Sequence, residues 1–299
     1  MGIDRRALTT NSGGWSVEAL HSGSCTLGRV KRVALFGMLA CFAWPAIANA
    51  DGKPASLTLK AGGLFVQLDL EMNLARGAVF KPVSIAPDVS IGVSSDLTVS
   101  LVHSTFGTTG FRGGTGSGVC VTGTSGGCPH VYNNVGGEAV YSLVQGDAAV
   151  AAVGGLYSLN LDGSFLDLKI GAKTRYTAGA VSLLFTPSIY AGLNHREAAT
   201  PNADQLYLPV AITYKLAPPV TVGIGSGIKG PLAGFSKFGD KYTVPLGVNT
   251  VFTINATLAV GASFTFGKLA GAPELSNAMP PATGSDFRAV HVWLNYSRN

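Results

Sequence analysis

Between residues 64 and 72 the apolar side chains fall at every second position. Leu64, Val66, Leu68, Leu70 and Met72 alternate with Phe65, Gln67, Asp69 and Glu71. Successive side chains of an extended chain point to opposite faces, so a period of two marks a β-strand with one apolar face. The pattern returns in Leu206, Leu208, Val210, Ile212 and Tyr214, with Tyr207, Pro209, Ala211, Thr213 and Lys215 between them. It returns again from Tyr242 through Val244, Leu246, Val248 and Thr250 to Phe252, and from Leu258 through Val260, Ala262 and Phe264 to Phe266. One face is bulky and apolar, the other small or polar. Strands are expected at 61–73, 81–93, 96–104, 137–145, 148–159, 165–175, 180–193, 205–216, 219–228, 241–253, 256–267 and 286–297. The Ala/Gly-rich stretch 146–156 has the poorest periodicity.

The connections add a second pattern. Four hairpins join tightly, at Ser94-Ser95-Asp96, Tyr176-Thr177-Ala178-Gly179, Ala217-Pro218-Pro219 and Ile254-Asn255. Between them run longer Gly/Pro/Asn-rich segments at 104–135, 194–204, 229–240 and 268–285. Short turns at one end and long loops at the other are the asymmetry of a transmembrane β-barrel, and an even strand number puts both termini at the turn end. The expected fold is all-β: a closed antiparallel transmembrane barrel of about 12 strands, each of roughly 10 residues. A secreted soluble sandwich is the competing architecture, because its strands alternate too. Aromatic residues fit two interfacial girdles: Tyr176, Tyr214, Phe252 and Tyr296 at the turn end, and Phe106, Tyr242, Phe266 and Phe287 at the loop end.

Composition agrees with a membrane. Of 299 residues 46% are hydrophobic, only 12% are charged, and 40 are glycine; soluble domains carry about 25% charged residues. After residue 50 no uncharged apolar run reaches the roughly 20 residues of a spanning helix. Backbone inside lipid must satisfy its own hydrogen bonds, which leaves the closed barrel. The one long apolar run lies earlier. Arg29, Lys31 and Arg32 precede an apolar core from Val33 to Trp44, and Ala48-Asn49-Ala50 supplies small residues before Asp51. That order is a secretory signal peptide cleaved after Ala50, with Ala48 and Ala50 as the recognition residues. An uncleaved anchor and lipoprotein processing at Cys41 are the alternatives. The chain therefore divides into an extension plus leader at 1–50 and a barrel at 51–299. Without residues 1–50 there remain 16 Lys/Arg and 14 Asp/Glu. The sequence pI near 9.0 belongs largely to the leader, and nucleic acid is not an expected partner.

The last strand, Val290-His291-Val292-Trp293-Leu294-Asn295-Tyr296, resembles the terminal strand of bacterial outer-membrane proteins. There, alternate apolar residues (here Val290, Val292, Leu294 and Tyr296) lead to a closing aromatic read by the assembly machinery. Ser297-Arg298-Asn299 follow the aromatic, a departure from the usual pattern. Residues 82–99 resemble hairpins of small porin-like barrels. The resemblance implies the outer membrane of a Gram-negative bacterium, with lipid and the barrel-assembly machinery as partners. It names no solute and no oligomeric state.

Candidate chemistry is sparse. Cys120 and Cys128 share the longest loop, and an exported chain meets an oxidising compartment, so a loop disulfide is expected. A metal site with His130 is the alternative, but four ligands are normally needed. Gly225-Ser226-Gly227-Ile228-Lys229-Gly230 matches G-x-G-x-x-G, yet Pro231 stands where a helix would have to open. Twelve-stranded outer-membrane lipid hydrolases would show a His, a Ser two residues later, then Asn-Gly. Here His103 and Ser104 are adjacent and Thr105-Phe106 follow. No catalytic residue, cofactor or metal is expected. With the apolar faces outward, Gln67, Asp69, Glu71, Asp88 and Asp167 line the lumen with Lys169, Lys173, Arg175 and Lys215. The acids Asp69, Glu71 and Asp167 stand toward the loop end, and Lys173, Arg175 and Lys215 toward the turn end. These features point to a narrow porin-like channel for small polar solutes, with loop 104–135 folded over or into its mouth. The alternatives are a surface-interaction barrel acting through that loop and, less favoured, an outer-membrane hydrolase.

Overall fold

The computed structural model describes residues 56–103, 116–159, 165–196, 202–232, 242–271 and 288–298. The expected leader, with Ala48 and Ala50, and the expected girdle residues Phe106 and Phe287 lie outside the described residues.

Fifteen strands form one antiparallel sheet: β1 (Leu64–Asn73), β2 (Val83–Gly92), β3 (Leu97–Val102), β4 (Gly118–Cys120), β5 (Tyr132–Asn133), β6 (Val135–Val144), β7 (Ala148–Leu159), β8 (Phe165–Ala178), β9 (Val181–Phe185), β10 (Ser188–Gly192), β11 (Gln205–Ala217), β12 (Val220–Pro231), β13 (Thr243–Thr253), β14 (Leu258–Gly271) and β15 (Arg288–Arg298). β9 and β10 are one strand interrupted at Thr186-Pro187. Both pair with β8 and β11, and the pairing Thr174↔Phe185 continues without slip to Gly171↔Ser188. Proline has no amide to donate, so the ladder pauses there. The Ala172 amide donates to the Pro187 carbonyl and keeps the wall joined.

The order round the wall is β1, β2, β3, β6, β7, β8, β9/β10, β11, β12, β13, β14, β15. It closes where β1 pairs with β15 from Leu64↔Arg298 to Asn73↔Ala289. The fold is thus a closed antiparallel barrel of 12 strands, as the periodicity predicts. The Ala/Gly-rich segment is an ordinary strand, β7, fully paired with β8. A fifth tight turn, at Gln145-Gly146-Asp147, joins β6 to β7 through Gly146 in a left-handed conformation (φ 125°). The long segments begin later than the sequence pattern suggests, because β12 runs to Pro231 and β14 to Gly271.

The barrel is apolar outside and polar inside. Leu68, Ile91, Leu101, Leu156, Ile170, Ile212, Ile224, Val248 and Leu294 are exposed. Gln67, Asp69, Ser84, Asp88, Ser100, Lys169, Ser226, His291 and Asn295 are buried. Water would penalise so continuous an apolar belt, whereas lipid favours it. Tyr176, Tyr214, Phe252 and Tyr296 are all exposed near the turn end, where interfacial aromatics are expected.

Two inward aromatics are seated by glycine. A Cβ on Gly261 would come within 2.1 Å of the Trp293 indole, and one on Gly136 within 2.2 Å of the Tyr157 ring. Gly261 pairs with Trp293 and Gly136 with Tyr157 across neighbouring strands. Each ring lies flat over the backbone that its glycine bares, which is how two large side chains fit inside the wall.

Candidate functional site

The lumen carries two polar clusters, one on β15, β1 and β2 and the other on β6, β7 and β8. The first stands at the seam where the chain ends meet. Asp69 and Glu71 lie two residues apart on β1, so both side chains point inward. Glu71 pairs with His291 of β15 on one flank and with Ser84 of β2 on the other. The His291 Nδ1 lies 3.1 Å from Asp69 Oδ2. The Ser84 hydroxyl donates to Glu71 Oε2 at 3.2 Å. The same oxygen accepts the backbone amides of Gly116 and Ser117, each at 3.0 Å. These amides come from the long connection between β3 and β6, part of which therefore reaches into the lumen.

Two short pieces of that connection, β4 and β5, join the sheet. β3 stops at Val102, level with the middle of β2. β4 takes its place and pairs Ser84↔Cys120 and Ile85↔Val119 on β2. β5 pairs with β4 and leads into β6. A single 3-10 turn, Thr124–Gly126, lies between them. The Cys120–Cys128 disulfide closes this excursion, as expected from the sequence. Below it, the His103 amide donates to Asp88 Oδ1 at 2.6 Å. The His103 Nδ1 meets the Pro87 carbonyl, which can only accept, so Nδ1 carries the proton; Nε2 then accepts from the Tyr132 hydroxyl. Asn134 donates from Nδ2 to Ser117 Oγ at 3.0 Å, and Asn133 to the Gly116 carbonyl at 3.2 Å.

The second cluster spans β6, β7 and β8. Glu138 is buried and accepts from Tyr157 Oη at 2.7 Å, from Lys169 Nζ at 2.7 Å and from Lys173 Nζ at 3.3 Å. Lys169 Nζ also sits 5.9 Å and 5.7 Å from the ring centres of Tyr157 and Tyr190, within cation–π range. Tyr157, Tyr190 and Tyr207 pack with Val102, Leu159 and Phe165 into an apolar wedge on the same wall.

The expected lining residues divide by depth. Gln67, Asp69, Glu71, Asp88, Asp167, Lys169 and Lys173 are buried on the inward face. Arg175 is half-buried one step nearer the turn end. Lys215 has inward parity, like Ala211 and Thr213, but stands exposed at that end. Val290, Val292, Leu294 and Tyr296 face outward on β15, on the strand that closes the barrel. Gly225 to Gly230 lie within β12, so the glycine pattern is strand and not a nucleotide turn.

Glu138, His291, His103 and Trp293 belong to the lumen and are missing from the sequence-based lining. Strand parity held the signal for three of them. Glu138 alternates with Gly137 and Ala139, and small neighbours gave it no apolar face to contrast with. His291 and Trp293 alternate with Val290, Val292 and Leu294. His103 shares the parity of the outward Val99 and Leu101 in the expected strand 96–104, but β3 ends at Val102 and His103 turns inward just beyond it. Near the loop end, Arg196 grips Asp204 with both guanidinium nitrogens, at 2.7 and 2.9 Å.

No family model matches this sequence, and no curated protein matches it. Solved structures do. The NanC porin aligns over 77% of this chain and 98% of its own, with a TM-score of 0.53 at 9% identity. The KdgM porin aligns over 79% and 99%, with a TM-score of 0.48 at 12% identity. OmpT, an outer membrane protein of Vibrio cholerae, aligns over 82% and 100%, with a TM-score of 0.37 at 13% identity. The chain therefore resembles porin-like outer-membrane β-barrels. The NanC superposition carries that statement, and at such identity the likeness concerns the fold.

Proposed function

We propose that the protein resides in the outer membrane of a Gram-negative bacterium and forms a narrow channel for small polar solutes. The observation that carries this reading is the inverted distribution of polarity: an apolar belt outside a closed wall, with charged side chains of both signs inside. Asp69, Glu71 and Asp88 on β1 and β2, and Lys169 and Lys173 on β8, are all buried on inward faces. A solute crossing this level would exchange water for polar contacts. Charges of both signs support weak ion selectivity. The reading contains no catalytic step. Ser84 donates to a carboxylate that already accepts two backbone amides, an arrangement that fastens a loop rather than activating a nucleophile.

Removal of the leader, recognition of the Val290–Tyr296 strand by the assembly machinery, and lining by Gln67 and Lys215 are parts of the same proposal. Conductance across planar bilayers tests it. Folded barrel, identified by heat-modifiable gel migration, should give small, weakly selective steps; folded barrel with no channel events overturns the channel. A second reading, surface interaction through residues 104–135, draws support from the disulfide-closed wall extension. It expects deletion of that segment to abolish partner binding while sparing assembly.

A further inference from the structure

We propose that Asp69, Glu71 and His291 form a binding site for a divalent transition-metal cation at the seam of the barrel, inside the lumen. The three side chains are buried, and each offers one ligand atom, all within 4.8 Å of one another. Two features separate this group from an ordinary acidic cluster. It combines two carboxylates with an imidazole, a donor set suited to zinc and its neighbours. In addition, Asp69 is fully buried and its Oδ1 has no hydrogen-bond partner among the described residues. A carboxylate oxygen withdrawn from water without a donor is costly, and a cation is the ligand that would satisfy it.

The wall holds the three donors in place. Asp69 and Glu71 share one face of β1, and His291 sits directly opposite Glu71 in the antiparallel ladder, where facing Cα atoms are about 4.5–5.5 Å apart. On the other flank the partners of Asp69 and Glu71 are Ala86 and Ser84, both small. Glu71 is further oriented by Ser84 and by the Gly116 and Ser117 amides, which bind Oε2. Second-neighbour contacts of this sort aim metal ligands. With three protein ligands, a zinc ion keeps a position for water. All three ligands come from β1 and β15, so the ion would tie the first strand of the barrel to the last.

The proposal does not depend on conduction, and its test does not use it. Full-length folded barrel in detergent is titrated with Zn2+ by calorimetry and with Co2+ by visible absorption. One ion per barrel is expected, with a Co2+ d–d band. His291→Ala should lower the Zn2+ affinity at least tenfold and remove the band, and Asp69→Asn should lower the affinity by a similar factor. The double variant His130→Ala, His195→Ala should bind as the parent does. Heat-modifiable migration confirms that each variant is folded. If the parent takes up no ion, or if folded His291→Ala binds Zn2+ as tightly as the parent, the site is refuted.

Discussion

The two walls of the lumen satisfy their buried charges in different ways. On the β6–β8 wall, Glu138 is neutralised by Lys169 and Lys173 and further bonded by Tyr157. All four residues belong to three adjacent wall strands. On the seam wall, Glu71 is held by backbone amides from a distant stretch of chain, and Asp88 by the amide of His103. Asp69 is met by His291, 222 positions away. The first cluster is complete once three neighbouring strands have paired. The second needs the barrel to close and the β3–β6 connection to fold inward. Buried carboxylates of one lumen thus report on two separate events, local pairing and final closure.

Several changes would break or refine that contrast. The largest effect is expected from Glu138→Gln, which removes the negative charge that the buried ammonium groups of Lys169 and Lys173 both contact. Loss of one partner from such a cluster costs about 3–5 kcal/mol, read as a fall in unfolding free energy in urea. Adding Lys169→Met and Lys173→Met should recover most of it, whereas an unchanged midpoint for the single variant would show that the cluster is solvated.

Replacing Cys120 and Cys128 by Ser opens a closure of sequence separation 8. Loop-closure entropy puts that loss at about 2–3 kcal/mol. It should appear as faster amide exchange over 116–134, with the amides of β7 and β8 unaffected. Equal acceleration on both walls would contradict their independence.

Glu71→Gln keeps the shape but removes the charge that the Gly116 and Ser117 amides face. Exchanging a charged for a neutral acceptor costs roughly 1 kcal/mol per bond. Those two amides should exchange about fivefold faster, since 1.4 kcal/mol is a factor of ten. The smallest effect belongs to Arg196→Ala. Its ion pair with Asp204 is exposed, and such pairs add little to stability, so the urea midpoint should not move.

The sequence by itself determined the strands, the direction of their faces and the inside-out polarity. These follow from a period of two, which is a local property of extended backbone. Leu64 to Met72 show it without help from any partner. The Cys120–Cys128 disulfide was legible because two cysteines eight positions apart in one segment have few alternatives. Strand number was legible to the extent that turns punctuate the chain; even the weakly patterned Ala148–Leu159 could be counted from its neighbours.

Only the tertiary structure decided which charges meet. Parity says that Asp69, Glu71 and Lys169 face inward, but register and closure decide that Glu71 stands opposite His291 and that Lys169 reaches Glu138. Register is a relation between strands, and a single strand's pattern does not encode it. The replacement of β3 by β4 in the wall, and the descent of Gly116 and Ser117 onto Glu71, are likewise invisible in a Gly/Ser/Thr-rich segment. Such a segment has no apolar face, and its conformation is set by what it touches.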